Sequence, residues 1–184
     1  STSDIPATQG PSKSHLSADV RIGIAQDSAF GFYYKDDLEA FENAGVNLVS
    51  IDTLNDSHLP DVDGLFIGGG FPETQMAALE ANKGLRREIR TAIENGLPAY
   101  AECGGMMYLS RSISWAGKRH EMVGVIPGDT VMHDRPKGRG YVRLAETGKC
   151  PWPLRDPVGR PTVFPAHEFH YSSLDNLDGE FPFA

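Results

Sequence analysis

From about residue 20 onward, short apolar runs alternate with longer segments whose apolar residues recur every three or four positions. The runs at 20–25, 47–51, 64–67 and 99–101 have strand length and are bounded by Gly, Pro, Asn or Asp, which predicts buried strands. Between them, residues 36–44 place Leu38 and Phe41 on one helical face, with Gly45 as a C-cap. Residues 73–95 carry Leu79, Leu85, Ile89 and Ile93 at helical spacing, interrupted near 82–84, and a further helix begins by 106–109. Strands alternating with helices imply βαβ crossovers and a mostly parallel sheet covered on both faces. After residue 112 the texture changes to short apolar segments among Gly and Pro (123–126, 130–132, 141–144, 162–164), expected to be antiparallel strands at one edge of the sheet. Residues 1–18 are polar and aperiodic and read as a linker or tail, leaving 19–184 as a single α/β domain.

In parallel sheets, function gathers at the carboxyl ends of the strands. Three loops there bear chemistry: 26–34, 68–73 and 102–105. In the last of them, Cys103 sits between a short strand and a helix, followed by Gly104 and Gly105. A sharp strand-to-helix turn exposes a nucleophile above a sheet, and glycines let backbone and substrate approach it. The helix N-terminus there is expected to lower the thiol pKa. The competing reading is an inert, packed cysteine, which is the commoner fate of a free thiol; a base elsewhere in the chain decides between the two. Gly68-Gly69-Gly70 does not match a phosphate-loop spacing and fits an oxyanion hole better, one N–H from this loop converging with one from Gly104, although a plain tight turn would also use these glycines. The run His167-Glu168-Phe169-His170-Tyr171 supplies two candidate bases three residues apart, which in an extended strand point to opposite faces.

Composition narrows the partners. A formal net charge of -8 argues against nucleic acid or an anionic membrane, and no apolar run approaches 18 residues. The two cysteines, Cys103 and Cys150, form no disulfide framework, which points to a reducing cytoplasm, and no Cys/His spacing fits a structural zinc site. No metal is expected.

Taken together, Gly68-Gly69-Gly70-Phe71-Pro72-Glu73, Ala101-Glu102-Cys103-Gly104-Gly105-Met106 and His167-Glu168-Phe169-His170-Tyr171-Ser172 resemble the glutamine amidotransferase domain of cobyrinic and hydrogenobyrinic acid a,c-diamide synthases. Gly31-Phe32-Tyr33-Tyr34, Pro127-Gly128-Asp129 and Gly138-Arg139-Gly140-Tyr141-Val142 look like the same family. The resemblance implies a flavodoxin-like three-layer fold and a glutamine-hydrolysing, ATP-dependent amide ligase of which this chain is the glutaminase part. It implies Cys103 as nucleophile, His170 rather than His167 as its base, and Gly70 and Gly104 as oxyanion donors. Gly69, Phe71 and Glu73 are candidate contacts for L-glutamine; for Glu73, favouring the N-terminus of its helix is an equal alternative. Related glutaminases carry a glutamate two residues beyond the histidine, and here that position is Ser172, so a dyad is expected.

The same resemblance implies that ammonia passes to a synthetase domain, on this polypeptide or a partner chain, which binds ATP, Mg2+ and the tetrapyrrole. No P-loop occurs in this sequence. Tyr33, Tyr34, Arg139 and Tyr141 are candidates to face that domain or the ammonia route, or else core residues. The chain stops at Phe181-Pro182-Phe183-Ala184, where the family continues through a further strand, so a truncated edge is expected. Three rivals remain: the glutaminase of another amidotransferase, such as one acting on a cell-wall lipid intermediate, a non-catalytic docking module on the same fold, and a peptidase or deglycase on that fold, which would share a reactive Cys103 without a preference for glutamine.

Overall fold

The apolar runs become strands whether or not both faces are covered: those at Asn47–Ile51 and Ala99–Ala101 form although they are partly exposed, Tyr100 by 48%. A computed structural model describes residues 19–145, 159 and 162–179, so the reading of 1–18 as a linker, Cys150 and the chain end lie outside the described residues. In chain order the elements are β1 (Arg21–Ala25), β2 (Phe30–Phe32), α1 (Lys35–Asn43), β3 (Asn47–Ile51), β4 (Gly64–Ile67), β5 (Gly69–Gly70), a 3-10 turn (Pro72–Gln75), α2 (Met76–Ala81), α3 (Lys83–Glu94), β6 (Ala99–Ala101) and α4 (Gly104–Leu109). There follow β7 (Ser110–Trp115), β8 (Lys118–Glu121), β9 (Ile126–Met132), β10 (Gly138–Ala145), β11 (Val163–His170) and β12 (Ser172–Asp175).

The parallel sheet has the order β3-β1-β4-β6. Its central strand β4 is buried at every position, as a strand sandwiched between layers must be. Leu79, Leu85 and Ile89 of α2 and α3 are at most 1% exposed and join Leu65, Ile67 and Met107 in the core. The expected break in the long helical stretch falls at Asn82, whose Oδ1 accepts the Leu85 N–H at 3.4 Å and so caps α3. Its amide group also donates to Thr53 O (3.0 Å) and Asp56 O (2.9 Å), tying the helix start to the loop after β3.

The strands after α4 do not extend the parallel sheet. They build a second four-stranded sheet, β12-β9-β7-β8, in which β7 and β9 run parallel, and a separate two-stranded sheet, β10-β11. The expected edge placement is thereby corrected: β7 leaves directly from α4 and carries the chain into its own layer. Asp129 clamps that layer, accepting from Arg111 Nε and Nη2 (both 3.0 Å), Arg119 Nη2 (3.0 Å) and Ser112 Oγ (2.7 Å), and these charge-assisted bonds hold its carboxyl well below the usual range.

At the carboxyl ends of β1 and β4, the short ribbon β2-β5 pairs Phe30 with Gly70 and Phe32 with Gly69. Asp27 ties the ribbon to β3: its Oδ1 accepts from the Ala29 and Phe30 N–H groups (2.7 and 3.0 Å), and its Oδ2 from the Thr53 N–H and hydroxyl (2.7 and 2.6 Å). Tyr33 donates its hydroxyl to Ala25 O at 2.6 Å and accepts the Gly68 N–H at 3.2 Å. It therefore braces the loop from within, the packing role that was one of the two alternatives for it.

Replacing Asn82 by Ala removes the cap and both tethers, and should lower the unfolding free energy by about 2 kcal/mol. Urea denaturation measures this, and a loss below about 0.5 kcal/mol would show the tethers to be dispensable.

Candidate active site

Glu102 leaves β6 by donating its N–H to Ile67 O at 3.0 Å, and the chain then reverses into α4. The reversal falls on Cys103, whose φ of 46° and ψ of -105° put an L-residue in a region normally left to glycine. The turn is held by the Gly105 N–H donated to Glu102 O (2.8 Å) and the Met107 N–H donated to Cys103 O (3.1 Å). Backbone packs on backbone beneath it: a Cβ on Gly105 would collide with Ile67 O, and one on Gly104 would come within 2.9 Å of Gly70 N. Side chains are excluded from both positions by this close approach.

The same contact brings together the expected oxyanion donors. Two neighbouring amides are already committed, Gly105 N–H to Glu102 O and Phe71 N–H to Ala29 O (2.9 Å). The Gly104 N–H lies beside the Cys103 sulfur and favours its ionised form. Gly69 packs against Phe32, while Phe71 is 56% exposed and meets the Phe32 ring edge-on at 5.3 Å between centroids.

Glu73 follows on the 3-10 turn, is 9% exposed, and its Oε2 has no hydrogen-bond partner. Burial pushes its carboxyl pKa up, against a smaller opposing effect of its own backbone amide. Its charge acts on Cys103, as does that of Glu102. Although Cys103 is an exposed residue, partial withdrawal of its sulfur from water is the largest influence on it and raises its pKa. The Gly104 N–H opposes that shift, and Glu73 and Glu102 add to it. The expected lowering of the thiol pKa is thus overturned: α4 has only six residues, and a dipole of that length does not offset desolvation beside two carboxylates.

His170 ends β11, and its Nδ1 lies 2.8 Å from Ser172 O. A carbonyl only accepts, so Nδ1 carries the proton and Nε2 of the neutral ring holds the lone pair. The ring lies against Gly138, where a Cβ would collide with Nε2, and Nε2 is 3.9 Å from Glu168 Oε2. His167, on the opposite face as expected, is exposed with its ring centroid 5.5 Å from that of Tyr141. His58, His120 and His133 are bonded to Glu88, Glu80 and Ser173, respectively, away from this loop cluster. The structure thus gathers Cys103, Gly104, Gly70 and Glu73, while His170 makes no hydrogen bond to Cys103. Glu102 as a neighbour of the thiol was missed, although its adjacency in sequence was a sufficient signal. Among the described residues no cluster of three or more His, Cys, Asp or Glu side chains is placed to hold a metal ion, and no helix is long and apolar enough to cross a membrane.

Residues 21–184 match the model of the CobB/CobQ-like glutamine amidotransferase domain. The chain is 48% identical over 165 residues to a cobyrinate a,c-diamide synthase of Magnetococcus marinus, a match covering 90% of this chain and 34% of that protein. It is 41% identical over 178 residues to the enzyme of that name from Methanosarcina acetivorans, covering 89% of this chain and again 34% of the relative. The chain therefore spans about a third of the length of these curated relatives. Among solved structures, PurLQS from Thermotoga maritima aligns with a TM-score of 0.57 at 18% identity over 88% of this chain and 71% of that one. A crystal structure of a glutamine amidotransferase aligns with a TM-score of 0.53 at 16% identity, over 85% and 74% of the two chains. At such identities these show the fold alone, and it is the α/β fold with a parallel sheet and additional antiparallel strands.

The electrostatics of the elbow can be read from its alkylation. The rate at Cys103 with neutral iodoacetamide should reach half its maximum above the pH of an unperturbed thiol, roughly 8.5. Glu73→Gln deletes a negative charge that raises the thiol pKa, so its profile should move to lower pH. A profile that stayed in place or moved upward would disprove the coupling.

Proposed function

Since the chain belongs to the CobB/CobQ-like glutamine amidotransferase family, we propose that it hydrolyses L-glutamine at Cys103 and supplies the ammonia to an ATP-dependent synthetase domain. The observation that carries the chemistry is the strained elbow, φ 46° and ψ -105° at a thiol flanked by the Gly104 and Gly70 backbone. Strain of this kind persists where the surrounding structure over-determines it, and here it holds a nucleophile clear of its strand.

In the first step His170 Nε2 accepts the thiol proton as sulfur bonds to the side-chain carboxamide carbon of glutamine. The oxygen of that carbon takes up the negative charge and accepts from the Gly70 and Gly104 N–H groups. The C–N bond then breaks, with the proton returned from His170 to the departing nitrogen, leaving ammonia and a γ-glutamyl thioester. Water, deprotonated by His170, adds to the thioester and releases glutamate and the thiol. Nucleophile and base are not hydrogen-bonded in this structure, and such contacts often tighten only in the substrate complex. The Nδ1–H bond to Ser172 O supports the base assignment, because it leaves the lone pair on Nε2 in the absence of a side-chain third member.

Glu73 receives the α-ammonium of glutamine in this reading, with Gly69 and Phe71 flanking the substrate. That pairing neutralises one of the two carboxylates that keep the thiol protonated, so the nucleophile is activated when substrate arrives. The remaining two-thirds of the relatives' length is room for the partner domain, which we assign ATP, Mg2+ and amidation of the a and c side chains of cobyrinic or hydrogenobyrinic acid. This chain itself needs no cofactor for the glutaminase step, and a free catalytic thiol suits a reducing cytoplasm.

A diazo-ketone analogue of glutamine, read by intact mass, tests the reading. One adduct is expected, absent in Cys103→Ser and suppressed by excess glutamine. His170→Ala should slow its formation by about 100-fold or more, and His167→Ala by less than about 3-fold. Labelling that ignores glutamine, or proceeds at the parent rate in His170→Ala, would sink the proposal.

A further inference from the structure

A second concave site lies away from the elbow, between the outer face of α3 and the loop that returns from β8 toward β9. Its floor is bonded to the far end of the nucleophile's helix, by the Val123 N–H to Tyr108 O (3.0 Å) and the Gly124 N–H to Ser110 O (2.9 Å). The cleft encloses about 650 Å3 and is lined by Lys83, Arg86, Arg87, Arg90, Arg111 and Arg119, with Glu121 as the one carboxylate on its wall. This concentration of cations occurs in a chain of net charge -8.

Internal pairs account for only part of it. Arg111 and Arg119 share Asp129, and Arg111 also meets Asp178 at 2.6 Å. Arg90 is bonded to Glu94 at 2.8 Å, one turn along α3. Arg86 is 8% exposed and donates to Met122 O (2.7 Å) and Glu80 O (2.8 Å), while its Nε has no partner. The nearest carboxylate is Glu121 Oε2 at 4.0 Å, on a side chain that is 77% exposed. Lys83 and Arg87 are exposed and form no ion pair among the described residues. Along α3, Lys83 and Arg87 stand at i,i+4 and Arg87 and Arg90 at i,i+3, spacings at which like charges destabilise a helix. Three cations thus remain against one loosely held carboxylate, one of them a buried guanidinium whose desolvation is costly without a counter-charge. An anion of two or three charges, seated in a concavity of ordinary ligand size, would offset both penalties. Guanidinium forks match the planar oxygen pairs of carboxylates and phosphates.

We propose that this cleft binds a small polyanion, presenting two or more phosphate or carboxylate oxygens to Lys83, Arg86 and Arg87. The site is separate from that for glutamine and does not depend on the glutaminase reading. Calorimetric titrations of the chain at pH 7.5 and low chloride, with pyrophosphate in one arm and citrate in the other, test it and identify the anion type. At least one probe should saturate at one equivalent, and the tighter of the two names the phosphate or carboxylate source. The Lys83→Ala/Arg87→Ala variant, which alters only exposed side chains, should weaken binding at least about 10-fold. Lys35→Ala removes a cation elsewhere on the surface and should bind as the parent does. No saturation of either probe below about 5 mM, an unchanged affinity in the double variant, or an equal loss in Lys35→Ala would overturn the proposal.

Discussion

The site depends on main chain packing directly on main chain. At the carboxyl ends of β4 and β6, Gly105 rests on Ile67 O and Gly104 on Gly70, while Gly70 in turn rests on Ala29 O. Nothing larger than hydrogen fits at these contacts, so three loops far apart in sequence are pinned together. Cys103 can hold its strained conformation because the residues on either side of it have nowhere else to go. Asp27 and Tyr33 complete the assembly by bonding the loops after β1, β3 and β4 to one another.

That rigidity has an electrostatic side. A thiol placed beside Glu73 and Glu102 and partly withdrawn from water rests in its neutral form, which is less prone to oxidation and to reaction with stray electrophiles. A resting site of this kind is protected until a cation enters it, and an amino acid brings one. On the proposed function, both carboxylates discourage the wrong chemistry, and Glu73 also recognises the substrate.

Much of the architecture was legible in the sequence. β3, β4 and β6 fall on residues 47–51, 64–67 and 99–101 because short apolar runs bounded by Gly, Pro, Asn or Asp leave a sharp signature, although of the three only β4 is buried throughout. The ribbon β2-β5 escaped notice, since three residues against two glycines carry no periodicity. The second sheet was misplaced because β12 joins β9 about 40 residues upstream, and pattern alone does not say which sheet or edge a strand joins. At the site, Cys103 and the two glycines after it announced an elbow, and the opposite facing of His167 and His170 followed from the two-residue repeat of a strand. The sign of the thiol shift was not readable, because it turns on burial and on a carboxylate thirty residues upstream that folding brings close.

The bond from His170 to Ser172 carries one further consequence. Enzymes that orient a histidine with a carboxylate place that function in a side chain, where a single codon change abolishes it. Here the orienting acceptor is a peptide carbonyl at the start of β12, fixed by the pairing of Ser172 with Met132 of β9. With His170 as the base we propose, the identity of residue 172 is released from catalysis, and what must be inherited is the register of a strand.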